Sequence, residues 1–90
     1  MVKIRLMDSP RAFHIRFFAI LREQAGCAAL EASSAAADAA QLYAELQQRL
    51  PGLVFPAHLL RVSINERYAT MEATLNAGDR VVFIPPIAGG

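Results

Sequence analysis

The stretch that decides the fold is residues 80–90, RVVFIPPIAGG. Its first five residues are β-branched, aromatic or charged, a composition typical of a strand with one buried face. Pro85 and Pro86 cannot donate a ladder hydrogen bond, so pairing with neighbouring strands should stop after Ile84. Each proline also favours an extended conformation in the residue before it. The stretch therefore predicts a final strand that leads into a stiff, extended arm.

The arm finishes in Gly89 and Gly90. Because glycine has no side chain, the backbone of these residues can enter a channel too narrow for any other residue. Such a tail presents the α-carboxylate of Gly90 to a partner. The alternative is a frayed terminal stub. We favour the carboxylate-delivering arm, because a strand, two prolines and an isoleucine precede the glycines.

The composition indicates one small domain. The chain has 90 residues, of which 54% are hydrophobic and 19% charged, enough for a modest core. A core of this size gives slim stability, so a small partner-dependent module is a better fit than an active site built from many loops. The formal net charge of +1 and the absence of a basic run give no reason to expect nucleic acid.

The sequence gives no sign of export or of a membrane. It contains no apolar run long enough to span a bilayer, and its first residues are unlike a signal peptide. Cys27 is the single cysteine, which excludes an internal disulfide and is consistent with a reducing compartment. We therefore expect a cytoplasmic protein.

The first strand is predicted to run from Phe13 to Ile20. Alternation places its residues on two faces: Phe13, Ile15, Phe17 and Ala19 inward, and His14, Arg16, Phe18 and Ile20 outward. Apolar residues on the outward face suggest a partner if they form a patch. One helical turn over residues 21–26 and a second strand over residues 27–32 should follow.

The main helix lies between Ser33 and Leu50. A stripe of leucines at i, i+4 spacing would lie on the sheet. Asp38 and Gln41 form a plausible capping pair, so the well-packed part of the helix can begin at Ala39. The preceding alanines could instead extend the helix toward Ser33. Residues 51–52, Pro-Gly, end it.

The remaining chain predicts three more strands. These are residues 61–65, a short return strand at residues 68–69, and the final strand, residues 80–84, with Val82 and Ile84 outward. Several strands around one helix indicate an α+β fold, and the first and last long strands can lie side by side in parallel. We therefore predict a β-grasp domain over residues 13–84, a mixed sheet with one main helix packed across it. Residues 85–90 form the tail, and residues 1–12 are an N-terminal extension or an extra edge strand.

Residues 13–90 resemble the small, sulfur-carrying subunit of molybdopterin synthase, from a family of ubiquitin-like β-grasp proteins. The most specific feature is the ending, Pro-Pro-x-x-Gly-Gly. The other motifs that carry the resemblance are Phe17-Phe18-Ala19, Leu21-Arg22-Glu23, Pro51-Gly52-Leu53, Val62-Ser63-Ile64-Asn65 and Leu75-x-x-Gly78-Asp79-x-Val81.

The resemblance implies a function for the tail. In the family, an ATP-using activating enzyme adenylates the terminal carboxylate, here that of Gly90, and sulfur from a separate donor protein converts it to a thiocarboxylate. The large synthase subunit then takes up the loaded tail, here residues Pro85, Pro86, Ile87, Ala88 and Gly89 with Gly90. Two such sulfurs convert cyclic pyranopterin monophosphate to molybdopterin. No cofactor is expected on this chain, since the sequence has no glycine-rich phosphate loop and the ATP belongs to the activating partner.

The resemblance also implies partner-binding positions at Phe18, Arg22, Tyr68 and Ile84, and an assembly of two small and two large subunits. Arg22 could equally be a solvated arginine, and Tyr68 a packed hairpin residue. We expect no metal site, because the two histidines have no carboxylate or cysteine companions at ligand spacing. Cys27 fits a small core residue better than a sulfur relay.

Three alternatives share this pattern. A sulfur carrier of thiamin biosynthesis has the same fold and the same activation chemistry, although the double proline and the longer chain favour the molybdopterin pathway. A ubiquitin-like modifier would join Gly90 to lysines of other proteins. The third alternative is a binding module with an inert tail.

Overall fold

The computed structural model describes residues 10–86. The predicted course of residues 87–90 lies outside this range, and so do residues 1–9 of the segment 1–12 that was predicted to be an extension or an extra edge strand. The elements in chain order are β1 (Arg11–Phe17), α1 (Ile20–Ala25), β2 (Ala29–Ser34), α2 (Ala39–Arg49), a 3₁₀ turn (Ala57–Leu59), β3 (Arg61–Ile64), β4 (Arg67–Ala69) and β5 (Arg80–Ile84).

The strands form one mixed sheet of five in the order β2-β1-β5-β3-β4. Strand β5 lies between β1 and β3, parallel to β1 and antiparallel to β3. The two outer pairs, β1 with β2 and β3 with β4, are antiparallel hairpins. The predicted α+β fold and β-grasp arrangement, with parallel first and last strands, are confirmed.

Helix α2 covers one face of the sheet. Its Leu42, Tyr43 and Leu46 are buried in the same core cluster as the inward residues of β1, β3 and β5. The Tyr43 and Phe83 ring centroids are 5.2 Å apart, and the Phe83 ring lies 6.3 Å from that of Phe17. Full burial of each large apolar side chain contributes about 1.5–3 kcal/mol, so this contact between α2 and β5 is a main source of stability.

The start of α2 follows the predicted capping pair. Asp38 has extended backbone geometry, and its Oδ1 accepts a hydrogen bond of 2.8 Å from the Gln41 backbone N–H. Gln41 Oε1 in turn accepts one of 2.9 Å from the Ala37 N–H. These bonds satisfy N–H groups that the first turn leaves free, so the helix begins at Ala39. The alternative extension toward Ser33 is wrong, because Ser33 and Ser34 belong to β2.

The first two strands are shifted from their predicted bounds. Strand β1 begins at Arg11 and ends at Phe17, because Ala19 has φ 54° and ψ −128° and breaks the extended run. Ala19 is therefore exposed, contrary to the predicted inward position, and Ile20 begins α1. Strand β2 runs over Ala29–Ser34 instead of residues 27–32, since its pairing with β1 sets its ends.

Candidate partner-binding face and tail exit

The tail leaves from the middle of the sheet. Strand β5 ends at Ile84, and Pro85 that follows is buried, whereas Pro86 is exposed. Within the described residues the chain thus comes to the surface at Pro86, and Pro85 packs with the domain. The other predicted tail-insertion residues, Ile87, Ala88 and Gly89, and the predicted reacting residue Gly90, lie outside the described residues.

The face of the sheet opposite α2 is called the outer face below. It includes outward residues of all five strands: Ala12, His14, Arg16, Ala29, Glu31, Ser33, Arg61, Ser63, Tyr68, Arg80, Val82 and Ile84. No element among residues 10–86 is interposed over it in the way that α2 covers the inner face. It is the sheet face that α2 leaves uncovered.

Two predicted partner-binding residues, Ile84 and Tyr68, lie on the outer face. Val82 is paired with Ser63 of β3, and Ser63 is paired with Tyr68 of β4, so these three share one row across the sheet. Ile84 is the next outward residue along β5 and is half-buried. Tyr68 is 84% exposed. The sequence left open whether Tyr68 packs in its hairpin, and this exposure favours the partner-facing alternative.

Phe18 lies at the same end of the sheet as Ile84. Phe17 pairs with Phe83, so Phe18 and Ile84 are the residues that follow this pair on their two parallel chains. The Phe18 side chain is 46% exposed. Phe18, Val82, Ile84 and Tyr68, called the apolar strip below, therefore extend from the tail exit across the outer face, with Ser63 between Val82 and Tyr68.

Arg22, the fourth predicted partner-binding residue, lies on α1 and is exposed. Helix α1 follows Phe18 directly: the Leu21 N–H donates to the Phe18 carbonyl and the Arg22 N–H to the Ala19 carbonyl, both at 3.0 Å. The position of Arg22 relative to Phe18 is thus set by the turn at Ala19. That turn uses a backbone conformation favourable to glycine, and an alanine there stores strain of order 1–3 kcal/mol.

A contact between α1 and the segment after α2 had no signal in the sequence. Gln24 Oε1 accepts hydrogen bonds of 3.0 Å from the backbone N–H groups of both Val54 and Phe55. A Cβ placed on Gly52 would lie 2.6 Å from the Gln24 carbonyl oxygen. Gly52 therefore permits a close approach of two backbones, in addition to the predicted role of ending the helix. About 30 residues separate the partners, so no local pattern reveals the contact.

The histidine environment differs from the one predicted. His14 Nδ1 lies 3.1 Å from Glu31 Oε2, because the β1–β2 register places the two residues opposite each other. His14 therefore has a carboxylate companion that sequence spacing did not reveal. A single pair is too few ligands for a metal, and residues 10–86 contain no group of three or more His, Cys, Asp or Glu that could hold one. Cys27 is half-buried and packs against the core.

The one strongly perturbed titrating group in the described range belongs to the core. Burial raises the pKa of Tyr43 to about 12. Its hydroxyl donates a hydrogen bond of 2.8 Å to the Phe55 carbonyl, so it ties α2 to the loop that follows. The described residues thus present an uncovered sheet face next to the end of β5, and they include no cluster of groups suited to acid–base catalysis. None of their helices has the length and apolar character needed to traverse a bilayer.

Comparison with protein families matches residues 15–90 to the family described as the ThiS family. The chain belongs to the ThiS family. The matched range begins within β1 and includes most of the outer face, which loses only its residues before Ile15, together with both prolines and the two glycines that follow. This ThiS-family membership confirms the resemblance seen in the sequence motifs.

Three relatives illustrate how this ThiS-family chain is placed among known proteins. The molybdopterin synthase sulfur carrier subunit of Mycobacterium tuberculosis is 36% identical over 53 residues, which cover 59% of this chain and 64% of that protein. The match thus spans slightly less than two thirds of that relative. SAMP1 of Haloferax volcanii superposes with a TM-score of 0.72 at 25% identity, covering 88% of this chain and 99% of that one.

The third relative comes from a protein–protein complex of subunits 1 and 2 of the molybdopterin-converting factor of Helicobacter pylori. It has a TM-score of 0.60 and 24% identity, and covers 88% of this chain and 99% of that chain. At this identity the likeness concerns the fold alone.

Proposed function

We propose that this chain is the sulfur carrier subunit of molybdopterin synthase. The observation that carries the proposal is the continuity of β5 with the tail: a strand held on both sides in the sheet leads through Pro85 and Pro86 toward Gly89 and Gly90, all within the ThiS-family match. A rigid domain with a narrow arm suits a carrier whose reacting group must enter another protein's site. The sulfur carrier subunit of Mycobacterium tuberculosis supports the choice of pathway.

The chemistry begins at the Gly90 carboxylate. A carboxylate is a poor electrophile until one oxygen becomes part of a good leaving group. Attack of the carboxylate on the α-phosphorus of ATP, bound by the activating enzyme, releases pyrophosphate and forms an acyl adenylate. Sulfide released by a donor protein then attacks the acyl carbon, so that a C–S bond forms as the C–O bond to AMP breaks, and a thiocarboxylate is left on Gly90. This chain supplies the reacting group, and the partners supply the acid–base residues.

Delivery of the sulfur needs the second partner, the large subunit. Enclosure of the tail by that subunit would hold the thiocarboxylate against cyclic pyranopterin monophosphate and keep water away from it. The apolar strip of Phe18, Val82, Ile84 and Tyr68 provides the docking surface beside the tail exit. The Helicobacter pylori chain that shares this fold comes from a complex of two subunits, which supports a two-protein assembly. We propose two small and two large subunits.

A ubiquitin-like modifier is the second candidate function. It is favoured by the likeness to SAMP1 of Haloferax volcanii, a small archaeal modifier protein. A modifier would use the same adenylate at Gly90, but a lysine amine would displace AMP to form an isopeptide bond. The two functions therefore diverge after activation, at the nucleophile.

Intact mass spectrometry separates these functions. We expect that the chain, incubated with ATP, its activating enzyme and a sulfur donor, gains the mass of one oxygen replaced by sulfur. The product should then form molybdopterin when the large subunit and cyclic pyranopterin monophosphate are added. Covalent adducts to lysines of other proteins, without molybdopterin, would favour the modifier. Sulfur loading that supports thiamin synthesis instead would assign the chain to that pathway.

Deletion of Gly90 provides the matched control. The shortened chain should fail to gain sulfur and fail to support molybdopterin formation, while its thermal unfolding stays close to that of the full chain. If the deletion lowered both thermal stability and activity, the tail would have a structural role instead of a chemical one. If the full chain showed neither AMP transfer nor sulfur loading, the inert binding module would be the better description.

A further inference from the structure

Two arginines flank strand β5 on the outer face. Arg16 of β1 is paired with Val82, and Arg61 of β3 is paired with Ile84, so one arginine lies on each side of the β5 part of the apolar strip, Val82 and Ile84. Both are exposed. They are separated by two strand spacings across the sheet and by two residues along it, which places their Cα atoms roughly 12 Å apart.

Two acidic residues near β5, Glu31 of the outer face and Glu66 of the β3–β4 turn, each have another partner. Glu31 lies 3.1 Å from His14, and Glu66 lies 3.4 Å from Arg80. Within residues 10–86 neither Arg16 nor Arg61 takes part in an ion pair. Val82 and Ile84 of β5 are therefore bordered on both sides by an arginine whose charge the described part of the domain does not neutralise.

We propose that Arg16 and Arg61 pair with carboxylates on the large synthase subunit, and that these two pairs fix how the outer face docks onto it. The inference rests on the proposed function and adds the chemistry of the partner surface: an apolar patch with two acidic groups about as far apart as the arginines. Apolar burial on the strip alone leaves the domain free to slide along β5. Charge pairs at staggered positions on the two sides select one register, and with it the direction of the tail.

The arrangement also accounts for the choice of arginine at two strand positions. An arginine covers apolar surface with its aliphatic stem while its guanidinium stays at the rim, and it binds carboxylates in a bidentate manner. Interfaces commonly combine an apolar centre with a polar rim. Val82 and Ile84 provide the centre here, and Arg16 and Arg61 the rim.

The test is the binding of the full chain to the large subunit at several salt concentrations. The double variant Arg16→Glu with Arg61→Glu should associate at least tenfold more slowly than the wild type at low ionic strength, and its affinity should depend less on salt. The double variant Arg16→Lys with Arg61→Lys keeps the charge and should retain most of the association rate. Arg49→Glu, on α2 away from the outer face, is the matched control and should leave binding unchanged.

Each outcome has a separate meaning. If the wild type binds and the glutamate variant matches its association rate and salt dependence, the arginine proposal is overturned while the proposed function stands. If the wild type itself does not bind the large subunit, both are overturned. The thermal unfolding temperature of each variant should stay near that of the wild type. If the double variant is unfolded, the single substitution Arg61→Glu takes its place, and the same slower association is expected.

Discussion

Asn65 and Asp79 join the β3–β4 hairpin to the start of β5. Asn65 Nδ2 donates a hydrogen bond of 2.8 Å to Asp79 Oδ1, and Asn65 Oδ1 accepts one of 2.9 Å from the Arg80 backbone N–H. Asp79 Oδ2 accepts a further bond of 2.7 Å from the Asn76 N–H. Asp79 is only 6% exposed, so these bonds satisfy a buried carboxylate.

Replacement of Asp79 should destabilise the domain. Asp79→Ala leaves the Asn65 amide and the Asn76 N–H without their acceptor, and we expect the free energy of unfolding to fall by about 1–3 kcal/mol. Asp79→Asn keeps one acceptor oxygen and should cost less. Chemical denaturation of both variants measures the difference. Equal stability of Asp79→Ala and the wild type would show that the network contributes nothing.

Ala19→Gly should stabilise the protein. Glycine adopts φ 54° and ψ −128° without the strain of an alanine Cβ. The strain relieved in the folded state should exceed the entropic cost of a more flexible unfolded chain by roughly 1 kcal/mol. Ala44→Gly is the control, because Ala44 lies in the middle of α2 and its replacement should cost about 1 kcal/mol. Thermal unfolding checks both signs, and a loss of stability in Ala19→Gly would contradict the strained turn.

Gly52→Ala should destabilise the domain through a steric clash. The new Cβ would lie 2.6 Å from the Gln24 carbonyl oxygen, a backbone atom that cannot move without shifting α1. We expect a loss of about 1–3 kcal/mol in the free energy of unfolding. Gly26→Ala is the control. Gly26 has φ 82°, but an added Cβ would meet no atom within 4 Å, so this variant measures the conformational penalty alone, about 1 kcal/mol. A Gly52→Ala variant more stable than Gly26→Ala would contradict the close approach.

The stability of the fold should fall at high pH through Tyr43. Its pKa is raised from 10.0 to about 12 by burial, so the unfolded state loses the proton first. The stabilising contribution is fully present below pH 10.0 and is lost as the pH rises toward about 12. Tyr43→Phe should be less stable at neutral pH, because the bond to Phe55 is lost, yet should show a smaller decline in this range. Urea denaturation at several pH values tests this difference between the two proteins.

Substitutions on the apolar strip should weaken partner binding without unfolding the monomer. Tyr68→Ala removes a side chain that is 84% exposed, so the fold should hardly change while affinity for the large subunit falls by tenfold or more. Ile84→Arg places a charge on the strip beside Arg61 and should have a larger effect. Val54→Ala, at another exposed apolar residue, is the control. Unchanged affinity in both strip variants would argue that the partner binds elsewhere.

Much of this fold could be predicted from short sequence patterns, because helix capping and strand alternation depend on residues only a few positions apart. Asp38 and Gln41 are three residues apart, so their hydrogen bond at the start of α2 could be anticipated. Period-two alternation likewise predicted the burial of Phe13, Ile15 and Phe17. The end of β1 was placed too late, because the alternation continues through Phe18 and Ala19 and gives no sign of the turn there.

The candidate site was partly predictable for the same reason. Alternation places Phe18 and Ile84 outward, and the family resemblance adds Arg22 and Tyr68. That Arg16 and Arg61 border one strip depends on which strands lie next to β5, which is a property of the sheet order. The contacts of Gln24 with Val54 and of His14 with Glu31 likewise join distant parts of the chain.

Sequence alone was enough for the order of the elements, for most of the inward residues, and for a chain that runs from a strand through two prolines to two glycines. Those features follow from backbone stereochemistry and from apolar periodicity, which depend on residues a few positions apart. Only the tertiary structure decided which charges lie beside the apolar strip, where the chain reaches the surface and why Gly52 needs to be glycine. These depend on segments that meet after folding, and the close packing that brings them together has no local signature in the sequence.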